Sequence, residues 1–90
     1  MDIQEPEEAI IYYEKALERD PDDTNLVREV GKALVMTHDY NRAIKYYETT
    51  LHDDPKLLDL RTDLAELYTK LKAYEDAKRV LIEALKFLKE

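Results

Sequence analysis

The sequence contains no cysteine, no serine and no tryptophan, and a single glycine in 90 residues. Without cysteine there is no disulfide framework, zinc ribbon or thiol chemistry. With one glycine there is no phosphate-cradling loop. With neither Ser nor Cys the usual nucleophiles are missing; Thr37 adjoins His38, but adjacent residues make a poor catalytic pair and no oxyanion-donor loop accompanies them. Every apolar run is too short to read as a membrane span. The opening segment, MDIQEPEEAI, is acidic and lacks the basic-then-apolar order of a signal peptide. Basic residues are also scarce beside acidic ones, 14 against 21, for a formal net charge of −7. That balance argues against nucleic acid as a partner, because phosphate binding relies on clustered Lys and Arg.

An internal repeat is present. The pair Asp20-Pro21 recurs as Asp54-Pro55. The same shift brings Ala9-Ile10 onto Ala43-Ile44, Tyr12-Tyr13-Glu14 onto Tyr46-Tyr47-Glu48, and Leu17 onto Leu51, so that eight of the sixteen positions 6–21 are identical. A weaker third copy is in register at Tyr74, Ala77 and Leu85. Such a period is the signature of stacked supersecondary units.

Each period reads as two helices. Tyr40, Ala43, Ile44, Tyr47, Thr50 and Leu51 fall on one helical stripe, as do Ala9, Ile10, Tyr13, Ala16 and Leu17, and as do Tyr74, Ala77, Val80, Leu81, Ala84, Leu85 and Leu88. Two further helices carry Leu26, Val27, Val30, Ala33 and Leu34, and Leu57, Leu60, Leu64, Leu67, Tyr68 and Leu71. No stretch alternates with period two, which argues against strands. The spacing predicts helices over about 6–19, 22–37, 40–52, 55–71 and 74–88. Pro21 and Pro55 suit the first turn of a helix, with Asp20 and Asp54 as N-caps and Asp22 and Asp23 as further carboxylates at the same start. The breaks at His38-Asp39 and Lys72-Ala73 are short, so neighbouring helices run antiparallel. His38 tolerates a left-handed backbone; Lys72 in the same role is slightly strained.

A 34-residue helix–turn–helix period closed by Asp-Pro resembles the tetratricopeptide repeat (TPR) family. The large–small–large pattern of that family's first helix is met by Val30, Gly31 and Leu34, and again by Leu64, Ala65 and Tyr68. Its second-helix pattern is met by Ala43, Tyr47, Thr50 and Pro55, by Ala77, Leu81 and Ala84, and in the leading copy by Ala9, Tyr13, Ala16 and Pro21. The family's usual tryptophan is replaced by Val27 and Arg61, and the glycine between its helices by His38 and Lys72. Thr37 to Tyr40, Ala43 to Glu48 and Asp63 to Leu67 also resemble stretches of the large TPR subunits of intraflagellar transport A complexes.

The resemblance implies an all-α, TPR-type helix–turn–helix solenoid of five antiparallel helices in a right-handed superhelix. It divides residues 1–90, one TPR domain, into a half repeat over 6–21 and full repeats over 22–55 and 56–90. It implies a non-catalytic protein-interaction scaffold, cytoplasmic and ciliary, that takes a protein or peptide and no cofactor or metal. The concave peptide-binding face of the family corresponds to Asn25, Arg28, Lys32 and Val35 on one helix and Asp59, Thr62, Glu66 and Thr69 on the next. The carboxylate clamp of chaperone-tail binders is not expected, because Asp63 stands where that clamp has an asparagine and repels an anionic ligand.

Other clusters have plain structural readings. His38-Asp39 and His52-Asp53-Asp54 sit at opposite ends of one helix, roughly 21 Å from each other, too far to share an ion. Tyr13, Tyr40, Tyr47 and Tyr74 fall on core stripes; Tyr12 and Tyr46, one step off, are expected to touch the neighbouring repeat. The chain opens with a second helix and closes without a polar capping helix. Apolar surface is therefore expected at Ile10, Ile11 and Tyr12 and at Val80, Ile82 and Phe87. That surface suits either an excerpt of a longer solenoid or a self-assembling or engineered fragment that stacks end to end as a homo-oligomer.

Overall fold

The computed structural model describes residues 5–88, without the side chain of Leu88. The expectation that Leu88 extends the last apolar stripe, and the reading of Met1 to Gln4, fall outside the described part. Five α-helices and no strand occur among the described residues: α1 Pro6–Arg19, α2 Thr24–Met36, α3 Tyr40–Asp53, α4 Leu58–Lys70 and α5 Tyr74–Leu88. The chain divides into two compact units, Met1–Tyr46 and Tyr47–Glu90, with the boundary inside α3.

In the first unit α1 packs on α2. Helix α1 starts with proline in its first turn, where the missing N–H costs nothing, and carries Glu7 and Glu8 where the helix dipole favours acid. It ends in a turn in which the Asp20 carbonyl accepts from the Asp23 N–H at 3.2 Å. Pro21 is the second residue of that turn, a place that suits its fixed φ. Helix α2 therefore starts later than the spacing predicts, at Thr24. Its N-cap is Asp23, whose carboxylate accepts from the Leu26 N–H at 3.2 Å; Asp20 does not cap it. The buried face of α2 is Val27, Val30, Gly31, Ala33 and Leu34. Gly31 has no positive φ and is buried, so no left-handed backbone accounts for it.

Helix α2 stops in a Schellman motif. The Asp39 N–H reaches back to the Leu34 carbonyl at 2.8 Å and the His38 N–H to Val35 at 3.0 Å, with His38 left-handed at φ 65°. The Thr37 hydroxyl also donates to Leu34 O at 3.0 Å.

The second unit repeats these devices one period on. Leu57 N–H bonds to Asp54 O at 3.4 Å, which puts Pro55 inside a turn and delays α4 to Leu58. Asp54 is thus no N-cap; Leu57 holds that place and offers no side-chain cap. Helix α4 packs on α5. It stops in the same motif, Ala73 N–H to Tyr68 O at 2.8 Å and Lys72 N–H to Thr69 O at 2.9 Å, with Lys72 at φ 63°. A left-handed lysine carries the strain expected of a non-glycine residue there.

Burial repeats as well. Val27, Val30, Gly31, Ala33 and Leu34 have counterparts one period later in Arg61, Leu64, Ala65, Leu67 and Tyr68, and all ten are buried. Arg61 is thus a charged residue in an apolar slot, 5% exposed. Its Nε–H donates to Pro55 O at 2.8 Å, and its Nη1 donates to Val80 O at 3.0 Å and to a Glu83 carboxylate oxygen at 3.2 Å. The guanidinium lies 5.4 Å from the centre of the Phe87 ring. No buried side-chain nitrogen or oxygen among the described residues lacks a partner, so this burial is fully hydrogen-bonded.

Candidate functional site

The residues assigned to a concave face form one stripe on each first helix. On α2, Asn25 and Lys32 are exposed and Arg28 and Val35 half-buried. On α4, Asp59, Thr62, Glu66 and Thr69 are all exposed. Both stripes run i, i+3, i+7, i+10, which keeps their members on one side of the helix. The two threonine hydroxyls turn back on their own helix, Thr62 to Leu58 O at 3.1 Å and Thr69 to Ala65 O at 2.8 Å.

The apolar residues assigned to open ends divide. Ile11, Tyr12 and Ile82 are exposed. Ile10 and Val80 are not: they are 7% and 1% exposed. Both belong to the inward face of their helix, and the Val80 carbonyl is a partner of Arg61. Phe87 is half-buried against the same guanidinium. Ile10 and Val80 also lie on the apolar stripes of their helices, and that helical phase decides their burial. The opposite correction applies to Tyr74, Leu81 and Leu85, read as core but exposed, because Ala77 and Val80 form the buried face of α5.

The tyrosines divide too. Tyr47 is buried and Tyr74 exposed. Tyr12 is exposed, and its ring meets that of Tyr13 edge-on. Tyr46 contacts the preceding repeat as expected, through a feature the sequence reading missed. Glu14 and Glu48, one period apart, each accept from a tyrosine and an arginine. Glu14 takes Tyr46 OH at 2.7 Å and Arg42 Nη2; Glu48 takes Tyr68 OH at 2.6 Å and Arg79 Nη2 at 2.9 Å. Burial, then the hydrogen bond to Glu14, pushes the Tyr46 phenol up to about 12. Burial and Glu48 raise Tyr68 further. The hydrogen bonds to the same two carboxylates hold Arg42 and Arg79 above the usual guanidinium value. The signal was in the repeated Tyr-Tyr-Glu triplet, whose glutamate is as regular as its tyrosines.

The first unit also holds a concavity of about 510 Å³ between the N-terminal half of α1 and the α2–α3 turn. Glu7, Ile11 and Glu14 line one wall and His38, Asp39 and Arg42 the other. The His38 Nδ1 lies 2.7 Å from Tyr40 OH, and Arg42 is paired with both Glu14 and Asp39. Among the described residues no group of three or more His, Asp or Glu is placed to hold a metal ion, and no helix is long and apolar enough to cross a membrane.

Paired helices stopped by identical motifs, joined across periods by Asp-Pro turns and buried at equivalent positions of each period, define an all-α helical repeat of tetratricopeptide type. A family model described as the tetratricopeptide repeat protein 21 fourth ARM domain matches residues 26–90, and a tetratricopeptide repeat model matches residues 1–23. The chain belongs to the tetratricopeptide repeat protein 21 family. It is 53% identical over 85 residues to tetratricopeptide repeat protein 21B of mouse and 52% identical over the same length to the human protein, alignments that cover 94% of this chain. It is 40% identical over 81 residues, 90% of the chain, to the tetratricopeptide repeat protein 21 homolog of Caenorhabditis elegans. The chain spans about 6% of the length of each of these relatives. Natural relatives this similar give no support to the engineered, self-stacking alternative.

Proposed function

We propose that this chain is a non-catalytic scaffold segment of a longer helical-repeat protein, and that it binds protein through the outer stripes of α2 and α4 within an intraflagellar transport assembly. One observation carries the reading. Asn25, Arg28, Lys32 and Val35 are matched one period later by Asp59, Thr62, Glu66 and Thr69, in the same phase, while the opposite faces of both helices are buried. The inward face keeps its apolar character from one period to the next apart from Arg61. The outward face changes side-chain chemistry at every position, as a surface fitted to a partner does. The small share of the relatives' length that the chain covers supports a part within a solenoid, where neighbouring repeats bury each other's apolar faces. The ciliary reading rests on the likeness of Thr37 to Tyr40 and Ala43 to Glu48 to the large subunits of intraflagellar transport A complexes.

Cross-linking mass spectrometry of such a complex, with this segment in its large TPR subunit, is the test. Lys32, Asp59 and Glu66 are expected to link to another subunit. Links confined to the subunit's own chain would remove the assembly role.

A further inference from the structure

We propose that the concavity between α1 and the α2–α3 turn is a second docking site, separate from the α2 and α4 stripes, for a basic segment of a partner protein: an aliphatic side chain flanked by Lys or Arg. The proposal rests on the scaffold reading and gives one partner its chemistry.

The shape comes first. Ile11 is 56% exposed at this concavity, and the buried Ile10 lies beside it, so an aliphatic group finds apolar surface there. The opposite wall is rigid. The N–H groups of His38 and Asp39 and the Thr37 hydroxyl are all bonded back into the end of α2. A wall already ordered costs little further entropy on binding.

Charge then selects the occupant. The concavity has three carboxylates, Glu7, Glu14 and Asp39, against one guanidinium. That guanidinium, Arg42, is held between Glu14 and Asp39 and is not free to hook an anion. The surface is therefore net negative beside an exposed isoleucine. A Lys or Arg fits both features, because its methylene stem covers Ile11 while its head reaches Glu7. A second copy of this chain is a poor occupant, since each copy carries a net charge of −7.

The repeat supplies an internal comparison. One period later the corresponding positions include Lys45 for Ile11, Asn41 for Glu7, Lys72 for His38 and Asp76 for Arg42. Among those positions of the sequence two lysines match Glu48 and Asp76 in number, and the isoleucine is replaced by lysine. The acidic, apolar combination is thus particular to the first unit and is not inherited from the repeat.

The test is an NMR titration of the isotope-labelled 90-residue chain with two peptides, acetyl-Lys-Leu-Arg-Leu-Lys-amide and its acidic counterpart acetyl-Glu-Leu-Asp-Leu-Glu-amide. The basic peptide is expected to shift the amides of Glu7, Ile11, His38 and Arg42 with millimolar or tighter affinity, and added salt is expected to weaken it. Glu7→Lys should reduce that affinity about tenfold, as should Ile11→Ser. Both positions are exposed, and helical circular dichroism checks that the fold is kept. Equal response to the acidic peptide, no response at millimolar concentration, or shifts confined to the α2 and α4 stripes would overturn the proposal. The last result would leave the scaffold reading standing.

Discussion

Removing the Arg61 side chain probes the most unusual feature of the core. The guanidinium is the donor for two backbone carbonyls, Pro55 O at 2.8 Å and Val80 O at 3.0 Å, in a site where Arg61 is 5% exposed. In Arg61→Ala both carbonyls lose their side-chain donor. Val80 O lies inside α5 and keeps its helical N–H partner. The cost of an unmet acceptor, about 1–3 kcal/mol where water does not replace it, therefore falls on Pro55 O, and the lost packing of the stem adds to it. Glu83 is different: its side chain is 40% exposed, so it rehydrates, and the pair itself contributes about 0–1 kcal/mol. The expected loss is about 3 kcal/mol for Arg61→Ala and under about 1 kcal/mol for Glu83→Gln. Arg61→Met keeps most of the packed stem and should fall between them. Urea denaturation followed by far-UV circular dichroism measures all three. If Arg61→Ala costs no more than Glu83→Gln, the carbonyl contacts are not what stabilises the buried guanidinium, and the reasoning fails.

Three further outcomes follow from the same geometry. Lys72 is left-handed at φ 63°, so Lys72→Gly should stabilise the second unit by about 0.5–1 kcal/mol. His38→Gly should gain less, because it also removes the contact with Tyr40; thermal melts of both variants decide this. Asp23→Ala removes the side-chain cap of α2 and should cost about 1 kcal/mol in urea denaturation, whereas Asp20→Ala should cost clearly less. The Tyr46 phenol, ordinarily 10.0, is raised to about 12, so the unfolded chain releases that proton first. Its contribution to stability is intact below pH 10 and is lost as pH rises from 10 to 12. Tyr46→Phe should make the alkaline fall in the denaturation midpoint shallower; an unchanged slope would refute the assignment.

The architecture was legible because it rests on periodicity. Helix number and order, the His38 and Lys72 breaks and the repeat period all follow from repeated apolar spacing and a few punctuating residues. The details that escaped depend on local competition or helical phase. Pro21 and Pro55 suit a first helical turn and the second place of a β-turn equally well, and the bonds Asp23 to Asp20 and Leu57 to Asp54 decide for the turn. Ile10 and Val80 fell both on a buried stripe and among the open-end residues, and the structure decides for the stripe. The repeated Tyr-Tyr-Glu triplet marked Glu14 and Glu48 as regular, but not their partners, since Tyr46 and Tyr68 reach them from other helices. The stripes on α2 and α4 were placed by resemblance, and six of their eight residues are exposed, with Arg28 and Val35 half-buried.

The most direct test of the central claim uses the parent protein carrying this segment, with Asn25, Lys32, Thr62 and Glu66 replaced together by charge-reversed or bulky residues. These four side chains are exposed, so helicity and melting temperature should hold. The quantity to measure is the amount of each partner subunit that co-purifies with wild type and variant. Selective loss of at least one partner, with the fold intact, is the predicted result; identical recovery of every partner would contradict the claim that these helices work by binding protein.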